Sequence, residues 1–333
     1  MSNKKQCYVP EKRGKVGGQA VLEGVMMKSG DNVALTVRKE DGSTVTKNSK
    51  FVSVKKKSAF FRIPIVRGVV NFIESMMLSF STLSDSADML GIDDDLGDSK
   101  FEKWLTKHFG NKITDVIMVI AMVLAVALSL VLFFWLPTFL TKCIESLTGD
   151  LGLWKSAIEG VIKVGIFISY LLLVSLMKDI RRTFEYHGAE HKSIFCYESG
   201  KELTVENVRE QSRFHPRCGT SFMFVMLGLS IISGLFITWD NQILRVLFKI
   251  LMLPLVMGIG YEFLMYAGKH DNFIVRALSA PGLWMQRITT REPDDAQIEC
   301  AIASLKAAMP DEFPPEEKAE GEAKNDAEGN EEK

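Results

Sequence analysis

The stretch ITDVIMVIAMVLAVALSLVLFFWLPTFL, residues 113–140, decides the fold class of this chain of 333 residues. It carries one charged residue, Asp115, close to its start. A helix rises 1.5 Å per residue, so a stretch of this length can cross a hydrocarbon core of roughly 30 Å. The stretch therefore predicts a membrane-spanning helix.

Three further apolar stretches follow, at residues 157–177, 219–237 and about 247–267. Together with the first they predict a mainly α, polytopic membrane protein with about four transmembrane helices, in a membrane domain covering residues 113–268. The net charge of −1 conceals this arrangement, because charged and apolar residues are separated along the chain.

The distribution of Lys and Arg predicts the orientation. Four lie in residues 100–112 and eight in residues 178–217, against two in residues 141–156 and one in residues 238–246. Basic residues favour the cytoplasmic side, so we expect both termini and the 178–218 loop there, in a multi-pass plasma-membrane protein. Because the cytoplasm is reducing, Cys196 and Cys218 are expected as free thiols.

Residues 1–112 are predicted to form a cytoplasmic segment. Alternating residues around Glu-Asp-Gly at 40–42 predict a small β hairpin at 33–54, and apolar residues at helical intervals predict an amphipathic helix at about 60–90. The glycine-rich stretch from Gly17 to Glu23 is interpreted as a loop that folds back over the polar cluster described below. The basic run at 55–57 favours anionic lipid as a partner, and no nucleic-acid partner is expected.

Residues 269–309 are predicted to form a cytoplasmic linker and helix. Pro281-Gly282 indicates a turn, and Pro293 with Asp294 indicates the start of the helix. Residues 310–333 are acidic and almost without apolar residues, which is typical of a disordered tail.

The most distinctive motif is His187-Gly-Ala-Glu190-His191. On a helix these three polar side chains project from one face. The pattern H-x-x-E-H is the inverted zinc-peptidase signature, in which two imidazoles bind a metal and the glutamate is the general base. The alternative is a solvated turn whose histidines have no role, and Gly188 weakens the helix.

A second polar cluster, His215-Pro-Arg-Cys218, precedes the third apolar stretch. A short hairpin would bring it beside His187 and His191. These four residues are a plausible ligand set for Zn²⁺ or another divalent metal. Four ligands would make a closed structural site, and three with an open position would make a catalytic one, a choice that the sequence leaves open.

Glu262 lies inside the fourth apolar stretch. A carboxylate at that depth is costly unless it is protonated, paired or bound to a cation, so Glu262 is a fifth candidate metal ligand. The alternatives are pairing with Arg181 or Arg182, or extension to the membrane surface.

Four stretches resemble the bacterial YqhQ family, labelled DUF1385: GGQAVLEGVMM, YHGAEHKSIFCYE, HPRCGTSF and PGLWMQRITTREPDDAQIECAIASL. The resemblance extends from about residue 17 to 305. It implies a bacterial inner-membrane protein with a conjectured metal site and no established substrate. The matching motif positions in this chain are Gln19, Glu23, His187, Glu190, His191, His215, Arg217 and Cys218.

Three functions are consistent with these observations. The first is a metal-dependent hydrolase in which His187 and His191, with a third ligand, hold the metal while Glu190 is the catalytic base. The second is a membrane scaffold or regulator, binding a protein partner, with a purely structural metal site. The third is an ion or solute carrier that uses Glu262.

Overall fold

A computed structural model describes residues 9–56, 58–91, 113–152, 154–236, 241–270 and 272–314. Residues 92–112 and the acidic tail beyond residue 314 lie outside these ranges, as does Lys57 of the basic run. Lys55 and Lys56 donate hydrogen bonds to Asn71 and Asp31.

The N-terminal part is a four-stranded antiparallel sheet in the order β1-β2-β3-β4. The strands are β1 (Val16–Val21), β2 (Gly24–Ser29), β3 (Asn32–Arg38) and β4 (Thr44–Lys50). The last two confirm the predicted hairpin around Gly42, whose φ of 84° suits a glycine turn. The loop predicted between Gly17 and Glu23 is wrong, because those residues form β1 and its turn into β2.

Eleven helices follow among the described residues: α1 (Val66–Leu90), α2 (Ile113–Leu130), α3 (Leu136–Thr148), α4 (Trp154–Val174), α5 (Lys178–Glu198), α6 (Val205–Arg209), α7 (Gly219–Leu235), α8 (Gln242–Leu251), α9 (Leu253–Lys269), α10 (Phe273–Thr289) and α11 (Asp295–Ala308). A π-helical turn, Val131–Trp135, joins α2 to α3 just before Pro137. Pro254 lies where α8 gives way to α9, since proline cannot continue the hydrogen-bond ladder.

Three helical stretches among the described residues are long and apolar enough to cross a membrane: Ile120–Thr148, Trp154–Val174 and Val246–Ala267. The third predicted span, 219–237, is a shorter helix whose apolar part runs Phe222–Leu235. At 1.5 Å per residue this part falls short of a hydrocarbon core of roughly 30 Å. The structure therefore supports three of the four expected spans.

The sheet lies between two layers of helices. On one face Val21, Met26 and Leu35 form a small core with residues of α1. On the other, β2 and β3 pack on α11, where the Ser304 hydroxyl donates to the Ala34 carbonyl at 2.9 Å. We call the sheet together with α5, α6 and α11 the sheet body, because β1–β3 and these helices share one buried core, while β4 is exposed.

The helix predicted after Pro293 is confirmed as α11. Asp294 caps it, accepting from the Gln297 backbone at 2.8 Å, while the Gln297 side chain accepts from the Asp294 backbone. The turn predicted at Pro281-Gly282 is wrong, because both residues lie inside α10. That helix packs along α7, and this tertiary contact outweighs the hydrogen bond lost at the proline.

Candidate functional site

Helix α5 presents the HGAEH motif to the centre of the molecule. From Tyr186 to Glu198 every residue except the partly buried His187 is buried. Gly188 is required here, because a Cβ at this position would lie 2.0 Å from the Arg291 carbonyl oxygen. The glycine that weakens the isolated helix therefore permits the chain after α10 to pass directly against it.

His187, His191 and Cys218 converge. Each offers one ligand atom, and these atoms all lie within 4.8 Å of one another. The imidazole Nε2 of His187 lies 3.2 Å from the Cys218 sulfur, and the rings of His187 and His191 are 4.4 Å apart between centroids. We call these three residues the His/Cys cluster. Cys218 immediately precedes α7, which fixes its backbone.

Backbone carbonyls orient both imidazoles. The Nδ1 atom of His187 lies 2.8 Å from the Thr289 carbonyl, and that of His191 lies 2.5 Å from the Arg213 carbonyl. A carbonyl only accepts, so each Nδ1 carries a proton, and in the neutral imidazole the Nε2 keeps its lone pair for the centre of the cluster. Ligand histidines in metal proteins have this arrangement.

The electrostatics of the cluster favour a Cys218 thiolate. Burial opposes the charge, but His187 and His191 lower the pKa of Cys218 well below its ordinary value. The Thr220 hydroxyl donates to the sulfur at 3.3 Å, and a helix N-terminus also favours a negative charge. Burial likewise opposes the charge of His187, but the Cys218 thiolate raises the pKa of His187 to about 9.

Glu190 lies beside the cluster, with its residue 5% exposed. It accepts a hydrogen bond from the Ala20 backbone, and burial raises the pKa of the Glu190 carboxyl although His187 and His191 oppose the shift. A Cβ at Gly18 would lie 2.9 Å from the Glu190 Cγ, so β1 covers this carboxylate directly. The glycine-rich stretch therefore contributes to the site by covering Glu190.

The buried atoms without a hydrogen-bond partner among the described residues include the Nε2 of His191 and the Oε2 of Glu190. Such groups are costly unless something binds them. Two imidazoles, a thiolate and a neighbouring carboxylate form a donor set that suits zinc. These residue types therefore fit a divalent metal, which His187, His191 and Cys218 could hold beside Glu190.

His215 is buried close by but directed elsewhere. Its Nδ1 accepts from the Arg217 backbone at 3.3 Å, and its Nε2 lies 4.0 Å from the Glu198 carboxylate. Its backbone exchanges two hydrogen bonds with the Gln286 side chain, at 2.7 and 2.8 Å. Burial lowers the pKa of His215 to about 4, although Glu198 opposes the shift. His215 therefore packs against Gln286 and Glu198 next to the His/Cys cluster and is not one of its three converging residues.

Glu262 lies apart from the cluster. Arg67 of α1 donates to its carboxylate through Nε, at 2.6 Å, and through a second nitrogen. The expected partners Arg181 and Arg182 instead contact Glu185 and Glu23. The structure thus brings together His187, His191, Cys218 and Glu190, and it pairs Glu262 with an arginine that the sequence reasoning did not connect to it.

Several supporting residues escaped the sequence reasoning. Thr289 and Arg213 act through backbone carbonyls, which leave no signature in a sequence. Glu198 is fully buried, and Arg217 and the Gly14 backbone donate to its carboxylate. A glutamate at the end of a helix carries no local signal of such a role, so only the fold reveals this pairing.

The described residues define a mainly helical protein with three helices suited to crossing a membrane and a sheet body that carries a His/Cys cluster. The chain belongs to the DUF1385 family: the family described as "Protein of unknown function (DUF1385)" matches residues 63–311. The chain is 35% identical over 299 residues to the uncharacterized protein YqhQ of Bacillus subtilis (strain 168), covering 88% of this chain and 92% of that protein. No solved structure matches the chain.

Proposed function

We propose that the protein is a membrane-bound, metal-dependent hydrolase in which His187, His191 and Cys218 hold a zinc-like ion and Glu190 is the general base. The observation that carries the proposal is the convergence of three ligand atoms within 4.8 Å beside a buried carboxylate. A divalent metal at this position supplies a Lewis acid that acidifies water and polarises a carbonyl or phosphoryl oxygen.

The chain's own residues supply the rest. The carbonyls of Thr289 and Arg213 hold the imidazoles in the tautomer that leaves Nε2 available. Glu190 has one oxygen without a partner among the described residues, and this oxygen can accept a proton from water. Gly18 and the rest of β1 shield the carboxylate on one side, which limits its hydration.

The purely structural alternative has less support. Residues 213–218 are already held without a metal, because Gln286 binds the backbone of His215 and Arg217 binds Glu198. The carrier alternative depended on a lone carboxylate at Glu262, and Arg67 pairs with that group. We place the site at the cytoplasmic face of a bacterial plasma membrane, on the basis of the Lys and Arg distribution.

Elemental analysis of the purified full-length protein tests the metal. We expect about one divalent ion per chain, lost in His187→Ala and Cys218→Ser. The matched controls are His270→Ala and Cys143→Ser, which alter exposed residues outside the cluster and should retain the metal. Protein that is free of metal and cannot be reloaded would contradict the proposal.

Glu190→Gln separates chemistry from binding. We expect this variant to keep the metal but to fail in complementing a strain that lacks the gene, whereas Glu206→Gln, on α6, should complement normally. Full complementation by Glu190→Gln would remove Glu190 as the general base.

A further inference from the structure

The His/Cys cluster opens into a cavity of about 790 Å³. Most of its wall is apolar, and large apolar side chains come from α1, α7 and α9, including Phe72, Met76, Phe80, Phe222, Met223 and Leu264. This volume lies within the range of small-molecule sites, roughly 300–1,000 Å³. The cavity therefore suits a largely apolar group, although its inner end carries Glu190 and the two ligand histidines.

A second cavity, of about 590 Å³, adjoins the first. Four basic side chains line it, from Arg13, Lys15, Lys28 and Arg217, and none of its described lining residues is acidic. These cations also contact neighbouring groups: Lys15 pairs with Glu312, Arg217 pairs with Glu198, and the Lys28 ammonium lies 4.8 Å from the centroid of the Phe51 ring. Four positive charges that line this space, with no carboxylate among its described lining residues, nevertheless favour an anionic group there.

The two cavities share part of their walls, including Gly17, Gly18, Gln19 and Arg217. Gly18 packs on Glu190, so the junction between the apolar and the basic space lies next to the proposed general base. A single molecule could occupy both spaces, with the bond between its two parts near the His/Cys cluster.

The apolar cavity borders the parts of the molecule that suit a membrane. Its wall includes Tyr261 and Leu264 of α9, within the candidate span Val246–Ala267. Helix α1 leaves large apolar side chains exposed, among them Ile73, Met77 and Phe80. Such a face is typical of a helix at a membrane surface. An apolar chain can therefore enter from the bilayer beside α1.

We propose that the substrate is an anionic amphiphile: an apolar chain that lies in the cavity between α1, α7 and α9, joined to a phosphate-type headgroup in the basic cavity. The identification of this molecule as the substrate rests on the proposed hydrolase function. Its binding rests on the two cavities alone.

Binding is tested with dodecyl phosphate as the probe. The full-length protein, purified in dodecyl maltoside, is heated with increasing concentrations of the probe, and the unfolding temperature is recorded. A ligand that binds the native state raises this temperature. We expect a saturable rise with dodecyl phosphate and none with inorganic phosphate or additional dodecyl maltoside at the same concentrations.

Two pairs of variants locate the probe. Met76→Asn should weaken binding about tenfold, because Met76 lines the apolar cavity, whereas Met177→Asn, at an exposed methionine outside the cavity, should leave it unchanged. Lys15→Gln should weaken binding about fivefold, while Lys12→Gln, outside the basic cavity, should not.

The outcomes separate this inference from the proposed function. Binding that persists in His191→Ala supports the amphiphile site whether or not metal is found. An equal rise in unfolding temperature with inorganic phosphate would show that the apolar chain does not contribute to binding. An equal rise with dodecyl maltoside would show that the anionic headgroup does not contribute. A metal-loaded protein that does not respond to dodecyl phosphate overturns the substrate class and leaves the hydrolase proposal intact.

Discussion

Two groups of buried ionisable side chains lie near opposite ends of α7, and they are built differently. Near its C-terminal end, Lys249 pairs with Glu159, and Thr138 donates to the same carboxylate at 3.1 Å. The Lys163 ammonium lies 5.5 Å from the centroid of the Phe134 ring. We call Glu159, Lys163 and Lys249 the charge cluster. The cavity there is about 10 Å³, too small for more than about one water molecule.

The His/Cys cluster, at the start of α7, faces a cavity of about 790 Å³ instead. Both groups incur the cost of taking polar atoms out of water. In the charge cluster, Lys249 and Thr138 contact Glu159 and so offset part of that cost, whereas His191 and Glu190 border a cavity large enough for a ligand. The cavity therefore distinguishes the two groups, and burial alone does not.

The largest expected effect comes from breaking the charge cluster. Glu159→Met would remove the carboxylate that pairs with Lys249 and lies near Lys163. We expect a loss of about 3–5 kcal/mol in the free energy of unfolding. Lys249→Met should cost less, because Glu159 would still have Lys163 nearby. Unfolding of the full-length protein in detergent measures both.

Glu145→Met is the control for this comparison. Its pair with Lys155 is partly exposed, at 25% and 23% of the side chains, and should contribute at most about 1 kcal/mol. If Lys249→Met proved more costly than Glu159→Met, Lys163 would not share the carboxylate.

An intermediate effect is expected from filling space next to Glu190. In Gly18→Ala the new Cβ would lie 2.8 Å from the Met27 sulfur and 2.9 Å from the Glu190 Cγ, so we expect a loss of about 1–3 kcal/mol. Gly17→Ala, in the same strand, has nothing within 4 Å and should stay within about 0.5 kcal/mol. Thermal unfolding compares the two, and equal losses would show that β1 does not hold Glu190 as described.

The last prediction concerns the reactivity of Cys218 and involves no change in stability. Its two histidine neighbours lower the pKa of Cys218 and favour the thiolate, whereas burial raises the pKa of Cys196 to about 11 and of Cys300 to about 12. Because the thiolate is the nucleophile, iodoacetamide should modify Cys218 before the other two buried cysteines, Cys196 and Cys300, in chelator-treated protein. Peptide mass spectrometry measures the order, and faster labelling of Cys300 would contradict the assignment.

Local signals predicted part of the fold well. The Glu-Asp-Gly turn marked the β3–β4 hairpin, and Asp294 with Gln297 marked the start of α11. The β1–β2 hairpin was not predicted from the sequence, because its turn uses Leu22 and Glu23 in place of a glycine pair. Glu23 adopts a φ of 47°, held by Arg182 and the Tyr186 hydroxyl of α5. Contacts so distant in sequence leave no local pattern.

The same limit applies to the site. The spacing of His187, Glu190 and His191 was sufficient to place them on one helix face. The orientation of His215 was not predictable, because it depends on Gln286 of α10 and on Glu198 of α5. Glu262 likewise needed a partner 195 positions away, Arg67, which only the packing of α1 on α9 brings near.

The sheet body has a consequence for the order of synthesis. Its core combines β1–β3 with α5 and α11, so two blocks that contain candidate spans are made between its first and last elements. Domains form as their residues leave the ribosome. The sheet must therefore wait for α11, and the helix that holds His187 and His191 gains its full packing only when residue 308 has emerged. All three candidate spans are therefore made before the site is complete.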